Sequence, residues 1–187
     1  MTPMKIILAI TLIACGPRAI AADANKPDAA SVVNAMFAAA GAGNVDAAVS
    51  FFADDGYNIG PSGKKTTGKD ELRVLISFWV RENVQIDRAS DVKVKGESTI
   101  LRSDIASKWC DDLGISPVQV VNIITMDGNK IKSANGYYTP ASIERMTKAC
   151  DARPDSKMPS GAPCGKGIPF LKKYTDSLIA AGIAEKD

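Results

Sequence analysis

The chain of 187 residues contains no histidine. That absence excludes Ser-His-Asp and Cys-His nucleophiles, histidine general bases and histidine metal sites within the chain. Cysteine is also scarce: Cys15, Cys110, Cys150 and Cys164 are the full set, and no CxxC spacing occurs. No metal site and no cofactor is expected. Charge of one sign is lacking as well. Residues 1–21 hold Lys5 and Arg18 and no acid, so without them 21 basic residues face 21 acidic ones. A neutral chain has no electrostatic footprint for nucleic acid. The basic pairs Lys64-Lys65 and Lys172-Lys173 read as solvated surface. The adjacent carboxylates Asp54-Asp55 and Asp111-Asp112 sit among turn signals and read as turn chemistry. Gly41-Ala42-Gly43 and Gly165-Lys166-Gly167 lack the strand–loop–helix context of a phosphate loop.

One long apolar run is present, at the N-terminus. Ile6 to Cys15 follows Lys5 and stops at Gly16-Pro17. It is shorter than the roughly 20 residues a bilayer span needs, and it has the length of a signal-peptide core. Ala19-Ile20-Ala21 is a small-x-small cleavage site. Residues 1–21 therefore read as a signal peptide and 22–28 as a polar linker, with a periplasmic or secreted destination. Leu12-Ile13-Ala14-Cys15 also resembles a lipobox, and the alternative is an envelope lipoprotein acylated on Cys15. No other stretch approaches spanning length, so no transmembrane segment is expected in the mature chain.

The rest is long enough for a single domain. Ala29 to Ala42 places Val32, Val33, Met36, Phe37 and Ala40 on one helical face. Asn44 is placed to cap a second helix, Val45 to Ala53, and Asp54-Asp55-Gly56 reads as a turn. Tyr57 to Gly60 is a short extended piece. Thr67-x-x-Asp70 matches a capping box and opens a third helix with Leu72, Leu75, Ile76 and Trp79 inward. The pattern then changes to period two. Val92 and Val94 alternate with lysines, Thr99 to Trp109 alternates, Asp111 to Pro117 is a loop, and Val118 to Met126 and Lys130 to Tyr138 flank a hairpin turn at Asp127-Gly128-Asn129. Helices followed by a long meander predict an α+β domain over 29–140. Residues 141–187 add a helical extension with a Pro-rich loop.

Three cysteines survive cleavage after Ala21. Cys150 and Cys164 flank the Pro/Gly/Ser-rich loop Ala152 to Pro163, and their pairing is favoured. Cys110–Cys150 is the rival. On the Val118–Met126 strand, Asn122 interrupts an apolar face made of Val118, Val120, Ile124 and Met126. It is either a satisfied core amide or a ligand-facing donor.

Several phrases resemble the NTF2-like/SnoaL-like superfamily: Phe51-Phe52-Ala53-Asp54-Asp55 ending the second helix, Gly68-Lys69-Asp70-Glu71-Leu72 opening the third, and Asp127-Gly128-Asn129-Lys130-Ile131 leading to Gly136-Tyr137-Tyr138. The match covers roughly residues 29–140. It implies a cone: a curved, mostly antiparallel (mixed) sheet with the N-terminal helices over its concave face. It also implies a cavity, whose expected lining is Met36, Phe52, Asn58, Ile76, Trp79, Asn122 and Tyr138. In the ketosteroid isomerase branch a carboxylate base, a tyrosine and a protonated carboxylic acid do the chemistry. Those positions fall here on Gly60, on Met36 or Phe37, and on Asn122. Neither Gly60 nor Met36 can be a base. The expected function is binding of a small, mostly apolar ligand without catalysis. The alternatives are a SnoaL-like isomerase, hydrolase or dehydratase with an unrecognised acid/base residue, and an envelope interaction module that forms a homodimer through the sheet. On the sheet's outer face, Lys93, Lys95, Arg102, Asp104 and Lys108 argue against a large apolar interface.

The intact mass of protein purified from its own host is expected to correspond to a chain starting at Ala22. A chain starting at an acylated Cys15 would move the protein to the lipoprotein alternative.

Overall fold

A computed structural model describes residues 28–87 and 91–184. The proposed signal peptide, its cleavage site and Cys15 lie outside the described residues. Helix α1 (Ala29–Gly41) begins where the Asp28 carboxylate accepts a hydrogen bond from the Ser31 N–H at 2.7 Å. The carbonyl of the Asn44 side chain caps α2 (Val45–Ser50) from the Ala47 N–H at 3.1 Å, as its position in the sequence implies. Strand β1 (Phe52–Ile59) follows, then β2 (Lys65–Thr67) and α3 (Gly68–Arg81). Next come β3 (Gln85–Ile86), β4 (Asp91–Lys95), β5 (Ser98–Ala106), α4 (Lys108–Leu113), β6 (Val118–Asp127) and β7 (Lys130–Tyr138). The chain ends with α5 (Pro140–Asp151) and α6 (Cys164–Ala180).

The architecture is α+β with one curled, mixed sheet ordered β2-β1-β7-β6-β5-β3, and β4 also pairs with β5. Only the β1–β7 pairing is parallel among the described strands. Helices α1, α2 and α3 cover one face. Val33, Met36, Val49, Leu72 and Ile76 pack there against Leu101, Ile124, Ile131 and Ala134 of the sheet. Helices α4 and α5 and the start of α6 close the far end around Val118, with Trp109, Ile143, Met146 and Leu171. The second half of α6 lies on the opposite sheet face, where Leu178, Tyr174 and Ile179 meet Val121, Tyr137, Ile100 and Ile123.

Four local expectations change. Helix α2 ends at Ser50, so Phe52 to Asp55 lie in β1; the Asp54-Asp55 turn is a β-bulge, where the register against β7 shifts between Phe52 and Tyr57. The bulge inserts residues without ending the strand, which imitates a turn in sequence. The capping box is made differently: the Thr67 side chain caps nothing, and Glu71 accepts from the Thr67 N–H at 2.9 Å. Trp109 belongs to α4, capped by Ser107, and not to the preceding strand; α4 also takes up the first part of the loop expected at 111–117. Lastly, the outer sheet face is not predominantly charged. The side chains of β6 that point there, Val121 and Ile123, are covered by α6. A homodimer through that part of the sheet would have to displace this helix.

Cys150 and Cys164 form a disulfide, as favoured from the sequence, and Cys110 is a buried free thiol. The bridge ties the end of α5 to the first residue of α6 across the loop. Around it Cys164 donates its N–H to the Ser156 carbonyl and Met158 donates to Ala162, each at 2.8 Å. Closing a loop of this length contributes about 3 kcal/mol in the chain-entropy model. The Cys150→Ser/Cys164→Ser variant is therefore expected to melt several degrees lower than the parent, and addition of a reductant should lower the parent's melting temperature similarly. A melting curve unchanged by both would mean that α6 is held by packing alone.

Candidate functional site

The inner face of the sheet reads as a set of cross-strand rows. Asn58 of β1 sits beside Ala134 of β7, which sits beside Ile124 of β6 and Thr99 of β5. The next row contains Gly136, Asn122 and Leu101, and the one after it Tyr138, Val120 and Ser103. In the parallel ladder Ile59 pairs with Asn135, and Gly60 follows just beyond the end of β1. The rows toward Ile124 and Ile131 belong to the α1–α3 core, and Val118 and Ile105 belong to the α4–α5 core. Between the two cores runs a band of small and polar residues: Gly60, Gly136, Asn122 and Ser103.

That band is open. Asn122 stands at the middle of β6, flanked by strands on both sides and on the helix-covered face, yet it keeps partial solvent exposure. Its neighbours Val120, Ile124 and Leu101 are no more than 3% exposed. The two glycines of the band differ in the space beside them. A Cβ on Gly60 would meet nothing within 4 Å except the Asn58 Nδ2 at 4.0 Å. A Cβ on Gly136 would lie 3.0 Å from the Asn122 Oδ1. Space is therefore left beside Gly60, whereas the Asn122 oxygen fills the space beside Gly136.

Neither amide is satisfied inside the protein. Among the described residues the Trp109 indole N–H is the one side-chain polar group fully closed off without a partner. The side chains of Asn58, Asn122 and Ser103 also lack a protein hydrogen-bond partner, but each retains an opening to solvent. Asn58 is only 7% exposed and Ser103 only 5%. Buried polar groups in folded proteins are generally paired, and an unpaired one costs about 1–3 kcal/mol.

The seven residues predicted to line a cavity fall into three sets. Met36, Phe52 and Ile76 are closed into the α1–α3 core, at 3%, 1% and 0% exposure. They fill the concave side rather than leave it open, because aliphatic side chains from three helices converge there. Asn58, Asn122 and Tyr138 share the inner face of the sheet, with Asn58 buried and the other two partly exposed. Trp79 is half-buried on α3 and stacks on Phe37 of α1 with ring centroids 5.2 Å apart. Ser103 and Gly136 are not among the expected lining residues. Ser103 carried a usable signal, because it interrupts the apolar alternation of β5 as Asn122 interrupts that of β6.

Two further clefts lie elsewhere. One of about 660 Å³ runs between α2, α3 and the β6–β7 hairpin, with Asp46, Asp54, Asp127, Lys69, Arg73 and Lys130 on its walls. Its cations are engaged. Lys69 donates to the Val49 and Phe52 carbonyls at 3.4 and 2.5 Å, and Lys130 to the Ser50 carbonyl at 2.6 Å. Arg73 bonds Asp46 and Asp70 at 2.7 and 2.9 Å. These lysines neutralise the C-terminal carbonyls of α2. The other cleft, about 480 Å³, lies between α5 and α6 and is bordered by the pairs Lys148–Glu144 and Lys172–Asp176. No group of histidines, cysteines and acids that could hold a metal ion occurs among the described residues.

No protein-family model and no curated protein matches the chain. Solved structures do match. An NTF2-like protein from Cytophaga hutchinsonii shares 13% identity over 64% of this chain and 98% of its own, with a TM-score of 0.48. A protein with a ketosteroid isomerase-like fold from Catenulispora acidiphila, solved in complex with trimethylamine, shares 20% identity over 59% and 87%, with a TM-score of 0.48. A protein from Sphaerobacter thermophilus shares 17% over 59% and 94%, with a TM-score of 0.49. Each leaves more than a third of this chain unmatched, and likenesses of this size leave the chemistry to the chain's own residues.

Among the groups facing the band, Tyr138 titrates far from its ordinary value. Burial, and secondarily the neighbouring Cys110, push its phenol well above 10.0. Burial likewise raises the Cys110 thiol, and a Ser107 hydrogen bond offsets part of that. Tyr138 is therefore a neutral hydrogen-bond donor at physiological pH and not a base. Its raised value also sets a linkage. The unfolded chain loses this proton near pH 10 while the folded chain keeps it, so stability falls as pH rises above 10. Tyr138→Phe is expected to flatten that fall in alkaline unfolding titrations. Cys110 and Tyr174, whose phenol burial also raises, act in the same direction and leave a residual slope. An unchanged alkaline limb in Tyr138→Phe would show that the phenol is not desolvated.

Proposed function

We propose that this protein binds a small, mostly apolar ligand on the inner face of its sheet, over Gly60 and Gly136, with Asn58 and Asn122 as polar contacts. The carrying observation is the partial exposure of Asn122 at the centre of an otherwise closed apolar face, with its amide unpartnered. Most ligand sites are concave and largely apolar, with a few convergent polar groups. The walls here are Val120, Leu101 and Tyr138, and the polar groups are Asn58, Asn122 and Ser103. Binding without turnover is favoured. Acid–base catalysis needs a base within reach of the substrate, and the inward positions of the described strands around the opening carry no carboxylate. Tyr138, held protonated, could serve as an acid but has no base beside it. We further propose an extracytoplasmic location. A structural disulfide suits an oxidising compartment, and no helix among the described residues is long and apolar enough to cross a membrane.

Native mass spectrometry of the protein purified gently from its host is the test. A small molecule is expected to accompany the folded protein and to be lost on denaturation. Asn122→Leu should abolish its retention while changing stability by less than about 1 kcal/mol, because this amide holds no internal hydrogen bond. An Asn122→Leu variant that loses about 1–3 kcal/mol would instead make the amide a structural group. A clean apo mass for the parent would count against the binding reading.

A further inference from the structure

We propose that the solvent-facing stripe of α3 is a docking surface for a second copy of this chain, paired antiparallel about a two-fold axis at the level of residue 76. The proposal is independent of the ligand reading above and uses none of its residues.

The outward side of α3 has an order along its length. Leu72 and Ile76 are its buried residues and fix which side faces the sheet. With 3.6 residues per turn, the opposite side carries Asp70, Glu71, Val74, Phe78 and Arg81. Val74 is 72% exposed although it is apolar, and Phe78, one turn on, is partly exposed. The two acids stand before this pair and the arginine after it. Glu71 is exposed, and one of its oxygens accepts from the Thr67 N–H at 2.9 Å, which holds the carboxylate at the helix start. The Arg81 side chain is 67% exposed; its guanidinium lies over the Phe78 ring, 5.2 Å from the centroid, and reaches Glu82 at 3.5 Å. The stripe is therefore acidic, then apolar, then basic.

Such an order is its own complement. Val74 and Phe78 lie equally far on either side of residue 76, and so do Glu71 and Arg81. Antiparallel pairing about that point sets Val74 against Phe78 of the partner subunit and Glu71 against Arg81 of the partner subunit, and the two-fold makes each contact twice. A stripe with one sign of charge at both ends would repel its own copy. The flanking helix adds no charge to desolvate: α1 contains no charged residue, its exposed positions include Ser31, Ala35 and Ala38, and the Phe37–Trp79 stack joins it to α3. The contact lies on the helix layer, so the cover that α6 gives the other sheet face stays in place. Helix α3 has 14 residues and is about 21 Å long, which puts the contact at the small end of specific interfaces and the dimer in the micromolar range.

Sedimentation velocity of the intact chain between about 1 µM and about 1 mM is the test. The parent is expected to move from monomer towards dimer across that range. Val74→Glu, at an exposed position that the fold does not need, should stay monomeric. Glu71→Arg and Arg81→Glu each bring like charges together twice, and each should weaken self-association about tenfold. In an equal mixture of these two variants the mixed dimer regains both opposite-charge contacts, and it should form about as well as the parent dimer. Melting temperatures check the folding of each variant. Recovery in the mixture shows that Glu71→Arg acts through the contact and not through its lost bond to Thr67. A parent that stays monomeric throughout, or a dimer indifferent to Val74→Glu, would overturn the inference. So would a mixture that associates no better than either variant alone.

Discussion

Strand β6 carries apolar side chains on both faces, and the need to bury both sets decides where most other elements go. Val118, Ile124 and Met126 point one way, Val121 and Ile123 the other. An antiparallel sheet with one wet face alternates apolar and polar residues; a strand apolar on both sides needs cover on both. The amphipathic helices α1 and α3, joined by α2, cover one face. The other face is covered by α6, which must cross from the α5 end to reach it. The domain thus has three layers where the minimal helix-on-sheet arrangement has two. The disulfide sits where the chain begins that crossing, and the Pro-rich loop it closes has little apolar surface of its own with which to hold the turn.

This two-sidedness was legible in the sequence and was only half read. The even-numbered positions of β6 identified the inner face and isolated Asn122 correctly. Val121 and Ile123 carried the complementary message, but the charged residues of β4 and β5 outweighed them in the reading of the outer face. Local signals did well where a single side chain decides the geometry: the Asn44 cap, the hairpin at Asp127-Gly128-Asn129 and the Cys150–Cys164 bridge. They failed at the start of β1, where a bulge bearing Asp54 and Asp55 looks like a turn, and at Trp109, where β-like alternation runs on into a capped helix. Met36, Phe52 and Ile76 point inward as their spacing implies and are closed into the α1–α3 core. Periodicity says which side chains point inward, but not whether they meet in the middle and close the space.

The opening itself could not be read locally. It involves the end of β1 before Gly60 and the Asn122–Gly136 pair of β6 and β7, segments far apart in the chain and brought together by the parallel pairing of β1 with β7. A parallel pairing leaves no short-range turn to announce it. Each glycine taken singly suggests only a turn or a weak point in a strand. At Gly136 the missing side chain leaves room for the Asn122 oxygen, 3.0 Å from where a Cβ would stand.

The same outer helix that covers β6 also braces that patch from behind. The Tyr174 hydroxyl donates to the Asn135 side-chain oxygen at 2.6 Å, and Thr175 donates to the Tyr138 carbonyl at 3.1 Å. These two bonds bracket Gly136 on β7. The ring of Tyr174 lies against Gly63, 2.9 Å from where a Cβ would stand, so it also fixes the turn that follows Gly60. Glycine makes strands compliant, and a floor built from two glycines would be poorly defined unless something held its strands in place. Helix α6 supplies that support at both strands, and the disulfide anchors α6. The C-terminal extension is thereby connected to the inner face through the thickness of a single sheet. The unpaired amides of Asn58 and Asn122, which weaken the fold by a few kcal/mol at most, are carried on the best-braced part of the domain. Polar groups held open at fixed positions incur little further ordering when a ligand arrives, and preorganisation of that kind is what converts a modest number of contacts into affinity.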